Sequence, residues 1–106
     1  MIRFMRIIVM FDLPTKTKQE RKIYSEFRRF LLSDGYVMMQ YSVYYRICRG
    51  LDGVFKHEKR LSYSLPENGA VRMMVITEKQ YEDMKILVGK KAKYEENSSI
   101  QQLSIF

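Results

Sequence analysis

The apolar positions along the chain change period repeatedly, and each change marks an element. Met5 to Phe11 is a burst of long and β-branched apolar residues that stops at Asp12-Leu13-Pro14. Consecutive apolar positions predict a strand buried on both faces, hence central in a sheet. Pro14 forbids continuation, and Thr15 or Thr17 is placed to cap a helix after it. From Lys18 to Asp34 the period becomes helical: Ile23, Tyr24, Phe27, Phe30 and Leu31 fall on one face, with Lys18, Arg21, Lys22 and Arg29 opposite and Arg28 at the edge. Asp34-Gly35 is a stop signal.

Tyr36 to Ile47 is aromatic and β-branched. It reads as one bent strand or as two strands reversing near Gln40-Tyr41-Ser42, and no Gly or Pro decides between them. After Gly50 and Gly53, Val54 to Leu65 reads as a second helix, with Val54, Phe55, Leu61 and Leu65 inward and Lys56, His57, Lys59 and Arg60 outward. Pro66-Glu67-Asn68-Gly69 is a turn, and Ala70 to Ile76 a strand apolar on both faces except at Arg72. Thr77-Glu78-Lys79-Gln80 has the form of a capping box and predicts a short helix. Lys85 to Val88 reads as one more short strand. Residues 90–99 form a polar, lysine-rich connector, and Ile100 to Phe106 recovers apolar character.

With the middle segment split, the order is βαββαβ, an α+β, ferredoxin-like arrangement with an antiparallel sheet. Residues 1–89 then form the domain, and 90–106 a connector and C-terminal strand extension that packs on a dimer. Helices on one face of such a sheet leave the other face open. Its aromatic-rich middle strands call for a cover, and a homodimer through the sheets is the economical solution.

Composition narrows the function. A chain of 106 residues with 46% hydrophobic and 29% charged residues is one globular domain. The longest unbroken apolar run, Ile7 to Phe11, is too short for a membrane span or a signal-peptide core. The single cysteine, Cys48, cannot close an internal disulfide, so the expected setting is a reducing cytoplasm with no membrane partner. A net charge of +7 favours polyanionic partners.

Asp12 sits where a buried strand runs out, a frequent position for a functional carboxylate, though position alone favours one that organises the turn around Pro14. A hard cation such as Mg2+ takes one or two carboxylates plus waters and substrate phosphates, so two copies of Asp12 meeting across a two-fold axis would suffice. Lys16, Lys18, Arg21, Lys22, Arg28 and Arg29 make a basic stripe suited to phosphates. A weaker second cluster is Lys56, Lys59 and Arg60 with His57, and a third is Lys90, Lys91 and Lys93. His57 reads as a surface helical histidine and Cys48 as a small core residue. No Walker loop, GxGxxG or zinc spacing is present.

Three segments carry a resemblance to a known family. They are Met10-Phe11-Asp12-Leu13-Pro14, the Gln40-Tyr41-Ser42-Val43-Tyr44 run at its spacing from Gly35, and Ile76-Thr77-Glu78-Lys79-Gln80-Tyr81 followed by Ile86-Leu87-Val88-Gly89. Together they resemble the small CRISPR-associated adaptation family, the dimeric companion of the spacer integrase. The likeness is greatest to variants that accompany a Cas9-type effector. The resemblance implies a ferredoxin-like homodimer with facing sheets. It implies that Asp12 of each chain flanks a Mg2+ (or Mn2+) site, with Phe11 and Tyr44 as neighbours. It also implies metal-dependent endonuclease activity on RNA or double-stranded DNA, and a role bridging DNA between integrase subunits. Met38 stands where some relatives carry a basic residue. The sequence leaves two functions open: an endonuclease centred on Asp12, and a non-catalytic adaptor that binds duplex DNA and the integrase. An RNA-binding module stacking bases on its sheet is disfavoured, because the aromatic signature of such strands is absent.

Overall fold

The computed structural model describes residues 3–89. Its elements are β1 (Phe4–Asp12), α1 (Lys18–Ser33), β2 (Val37–Gln40), β3 (Val43–Arg49), α2 (Gly50–Ser62), β4 (Ala70–Thr77) and α3 (Glu78–Glu82). The four strands form one antiparallel sheet in the order β2-β3-β1-β4. This is the expected βαββαβ arrangement, with β1 central and buried. The middle segment is two strands. Their reversal at Tyr41–Ser42 is made without glycine, because Ser42 itself takes the left-handed conformation at φ 63°. That conformation costs a side-chain-bearing residue, and the N–H of Phe11 donating to the Ser42 carbonyl at 3.0 Å helps hold it.

Local chemistry starts two of the helices. Thr17 caps α1: the N–H of Glu20 donates to Thr17 Oγ1 at 3.1 Å, and the N–H of Thr17 donates to Glu20 Oε1 at 2.8 Å. Thr77 and Gln80 repeat the same exchange at α3.

The alternation of β1 builds two layers. Ile7, Val9 and Phe11 point to the helices and pack with Phe27 and Leu31 of α1, Val54 and Leu61 of α2, and Tyr36, Tyr44 and Cys48. Each large apolar side chain among them contributes about 1.5–3 kcal/mol by leaving water. The other face of the sheet carries Ile8, Tyr45 and Ile76, with Met10, Val37, Met39, Val43 and Ile47 half-buried around them. Arg6 lies in this second layer almost fully buried. Its charge is met by a bidentate pairing with Glu78 at 2.8 and 3.0 Å, and its guanidinium lies over Tyr45 and Tyr81 at 4.7 and 3.6 Å. Through Glu78 and Tyr81, α3 covers one part of the face, while Met74 of β4 stays 48% exposed.

Three expectations are corrected. Lys85–Val88 is not a strand: Leu87 and Val88 are 89% and 95% exposed. A strand exists through its neighbour's hydrogen bonds, and among the described residues no strand pairs with this segment. The second helix begins at Gly50 rather than Val54, and Phe55 and Leu65, expected inward, are exposed. His57, expected outward, is buried on the stripe Val54-His57-Leu61. The connector and C-terminal strand expected over 90–106, with Lys90, Lys91 and Lys93, lie outside the described residues.

Candidate functional site

Asp12 is the last residue of β1 and pairs in register with Ala70 of β4. Strand alternation puts it on the side of Arg6, Ile8 and Met10, the face of the sheet opposite α1 and α2. It is exposed. Gly69 shapes its surroundings. At φ +91° Gly69 brings its backbone so close that a Cβ there would stand 2.7 Å from the Asp12 carbonyl oxygen and 2.7 Å from Leu13 Cδ2. Only glycine permits that approach, so the turn Pro66–Gly69 supports the end of β1.

Phe11, the neighbour of Asp12, points the other way and anchors an aromatic group. Its ring lies 5.1 Å from Phe27, 5.9 Å from Tyr24 and 5.7 Å from Tyr44, the last in stacked orientation. Tyr24 in turn stacks with Tyr41 at 6.4 Å with the planes 22° apart. Burial, and then the hydrogen bond with Tyr41, push the Tyr24 phenol above its ordinary range. Tyr44 is buried, and its hydroxyl accepts from Arg28 Nε at 3.0 Å. Phe11 and Tyr44 are therefore packing partners behind Asp12. The Tyr24–Tyr41 pair is a feature the sequence reading missed. Only the reversal at Tyr41–Ser42, which the sequence left open, brings it together.

The basic stripe is exposed along its length, at Lys16, Lys18, Arg21, Lys22, Arg28 and Arg29. Two of its members also hold structure. Arg21 Nη1 donates to the carbonyls of Thr15 and Lys16 at 3.2 and 2.8 Å, fixing the segment after β1, and Arg28 ties α1 to β3 through Tyr44. The second basic cluster keeps Lys56, Lys59 and Arg60 exposed but loses His57 to the interior. Arg60 pairs with Asp34 at 2.7 Å, and His57 Nδ1 meets the other Asp34 oxygen at 3.0 Å, all around a buried carboxylate at the end of α1. Spacing held the signal for this, since His57 lies three residues after Val54 and four before Leu61 on the apolar stripe. Cys48 is fully buried, and burial raises its thiol above the ordinary range, so it is a core residue and no nucleophile.

Among the described residues, no group of three or more His, Cys, Asp or Glu is placed to hold a metal ion. What one chain offers at the strand end is the single carboxylate of Asp12. That donor set fits Mg2+ or Mn2+ when a second carboxylate, waters and phosphate oxygens complete the shell, and it does not fit a metal that needs a closed protein cage.

Comparisons with known proteins agree with this architecture. A protein named CRISPR-associated endoribonuclease Cas2 from Acidovorax ebreus (strain TPSY) is 48% identical over 102 residues, 96% of this chain and 100% of its own. One of the same name from Ligilactobacillus salivarius (strain UCC118) is 46% identical over 95 residues, 90% of this chain and 94% of its own. A solved structure described as a crystal structure of Cas2 superposes with a TM-score of 0.57 over 85% of this chain and 92% of its own. At 18% identity it speaks for the fold alone. The family model for CRISPR associated protein Cas2 matches residues 5–84, from the first core strand to just beyond α3. The chain therefore belongs to the CRISPR associated protein Cas2 family.

Proposed function

We propose that the chain is a nuclease of CRISPR adaptation that hydrolyses phosphodiester bonds, with RNA as the first substrate to test, and that Asp12 is its catalytic and metal-binding residue. The observation that carries this reading is the position of Asp12: an exposed carboxylate at the end of a central buried strand, on the sheet face that the helices leave open. That face is apolar and incompletely covered around Met10, Val43 and Met74. A second copy laid on it would bury this surface and bring a second Asp12 to the same side, so the functional unit is a homodimer. Mg2+ or Mn2+, held by the two carboxylates, would polarise a phosphoryl oxygen or activate a water. The residues of this chain do the remaining work. Asp12 is presented by a rigid strand, Gly69 lets the neighbouring turn pack against it, and Lys16, Lys18, Arg21 and Lys22 draw the phosphate backbone to that end of the molecule.

A second reading is favoured by one specific observation. Arg29 and Lys22 lie on α1, in the layer on the other side of the sheet from the Asp12 side chain. A duplex bound along this helix would not need the carboxylate at all, as expected of an adaptor bridging DNA and the spacer integrase. One experiment separates the two. Wild type and Asp12→Asn are compared on labelled single-stranded RNA and duplex DNA, with Mg2+ or EDTA. Metal-dependent cleavage lost in Asp12→Asn, by about 100-fold or more for removal of a metal-binding carboxylate, supports the nuclease. Equal cleavage by both proteins removes Asp12 from the account. Binding of duplex without cleavage by either favours the adaptor.

A further inference from the structure

Tyr41 is 75% exposed, yet its ring is held in place beside the Tyr41–Ser42 reversal. One ring face stacks on Tyr24, and the backbone beneath it is pinned by the left-handed Ser42 and the hydrogen bond from Phe11 to the Ser42 carbonyl. A large apolar ring so held loses little further freedom on binding, which makes it a prepared contact surface. The surroundings say what it would contact. Tyr24 has Arg21 and Arg28 three residues before and four after it on α1, hence one turn away along its flank, and both are exposed. Arg21 uses one Nη to hold the carbonyls of Thr15 and Lys16, and Arg28 its Nε to hold the Tyr44 hydroxyl, with their other N–H groups directed to solvent or ligand. The register Met10↔Val43, continued by Phe11 to Ser42, carries Tyr41 toward the level of Asp12 at the same end of the sheet. A flat aromatic surface flanked by guanidinium groups matches a nucleobase with its own phosphates.

Resting on the nuclease reading above, we propose that Tyr41, backed by Tyr24, is a stacking shelf for an unpaired nucleobase, so that this end of the molecule selects single-stranded over fully paired nucleic acid. Inside a duplex both faces of a base are already stacked, and the Tyr41 ring finds no vacant partner there. A base in a single strand has a free face to offer. Tyr41 is a positioning residue for the strand and takes no part in the chemistry.

The test is binding in EDTA, where no metal-dependent cleavage interferes. A short single strand carrying 2-aminopurine, in RNA and DNA versions, and a blunt duplex of the same sequence are titrated with wild type, Tyr41→Phe, Tyr41→Leu and Tyr41→Ala. The shelf predicts that wild type and Tyr41→Phe quench the 2-aminopurine. It predicts that Tyr41→Ala and Tyr41→Leu lose the quench and bind single strands roughly tenfold or more weakly. Duplex affinity should change by less than about twofold, the margin within which only the sequence-independent phosphate contacts act. Loss in both RNA and DNA single strands means the shelf reads the base alone; loss in RNA only means the ribose contributes, and both support it. Unchanged single-strand binding in Tyr41→Ala overturns the proposal. So does an equal loss for duplex, which would make the ring a structural part of the turn. If wild type binds neither form, the nucleic-acid reading fails as a whole, a result distinct from failure of the shelf alone.

Discussion

At the scale of single residues, the pairing of buried polar groups sets the cost of change. Asp34 is 4% exposed, and both its oxygens are occupied, one by His57 and one by Arg60. This joins the end of α1 to the inner face of α2. Replacing one partner leaves a carboxylate oxygen buried without compensation, which is worse than removing both. His57→Ala is therefore expected to destabilise the fold by about 2–4 kcal/mol, read as a lowered midpoint in urea. A change under about 0.5 kcal/mol, the range of ordinary surface substitutions, would mean the contact carries no weight. Arg6 with Glu78 follows the same logic on the other layer, a charge kept in the sheet only because a carboxylate and two aromatic rings meet it. The sequence shows Arg6 inside the first apolar run, but it cannot show that its partner lies in α3, 72 positions along the chain. His57 was legible in principle from its place on the helical stripe. Charge type misled, because Lys56, Lys59 and Arg60 around it suggested a solvated face.

At the scale of elements, the backbone signals read well. Pro14 ends β1, Thr17 with Glu20 starts α1, Gly35 follows its end, and Thr77 with Gln80 starts α3. All act within a few residues, so sequence alone displays them. The reversal between β2 and β3 carried no such signal. It uses Ser42 in a conformation that glycine or asparagine would normally take, and it is held by a hydrogen bond to β1 from a distant part of the chain. The turn at Gly69 is a case where a local signal also serves the site. Gly69→Ala should cost about 1–3 kcal/mol, through the left-handed φ and the collision with the Asp12 carbonyl. Because the collision is with β1 itself, cleavage should fall along with the melting temperature. An alanine variant as stable and as active as wild type would show that the end of β1 yields freely.

For the whole molecule, the question is what covers the open face. Met74 is 48% exposed in the middle of a layer otherwise built from Ile8, Met10, Tyr45 and Ile76. If two copies meet there, Met74→Glu places a charge in an apolar interface and should leave a folded monomer in light scattering at micromolar concentration, with cleavage lost. A dimer undisturbed by the substitution would move the interface elsewhere. A wild-type monomer would remove the paired Asp12 arrangement.

The sequence by itself determined the first strand and helix, the central place of β1, the capped starts of α1 and α3, and Asp12 as the residue at the strand end. Each rests on periodicity or on chemistry between near neighbours in the chain. Tertiary structure alone decided that the middle segment reverses into two strands, that Lys85–Val88 finds no strand to pair with among the described residues, and that Arg60 pairs with Asp34. It alone brought Tyr41 over Tyr24. Those outcomes depend on contacts between residues far apart in the chain, whose partners are chosen only when the sheet closes in the register that buries both of its layers.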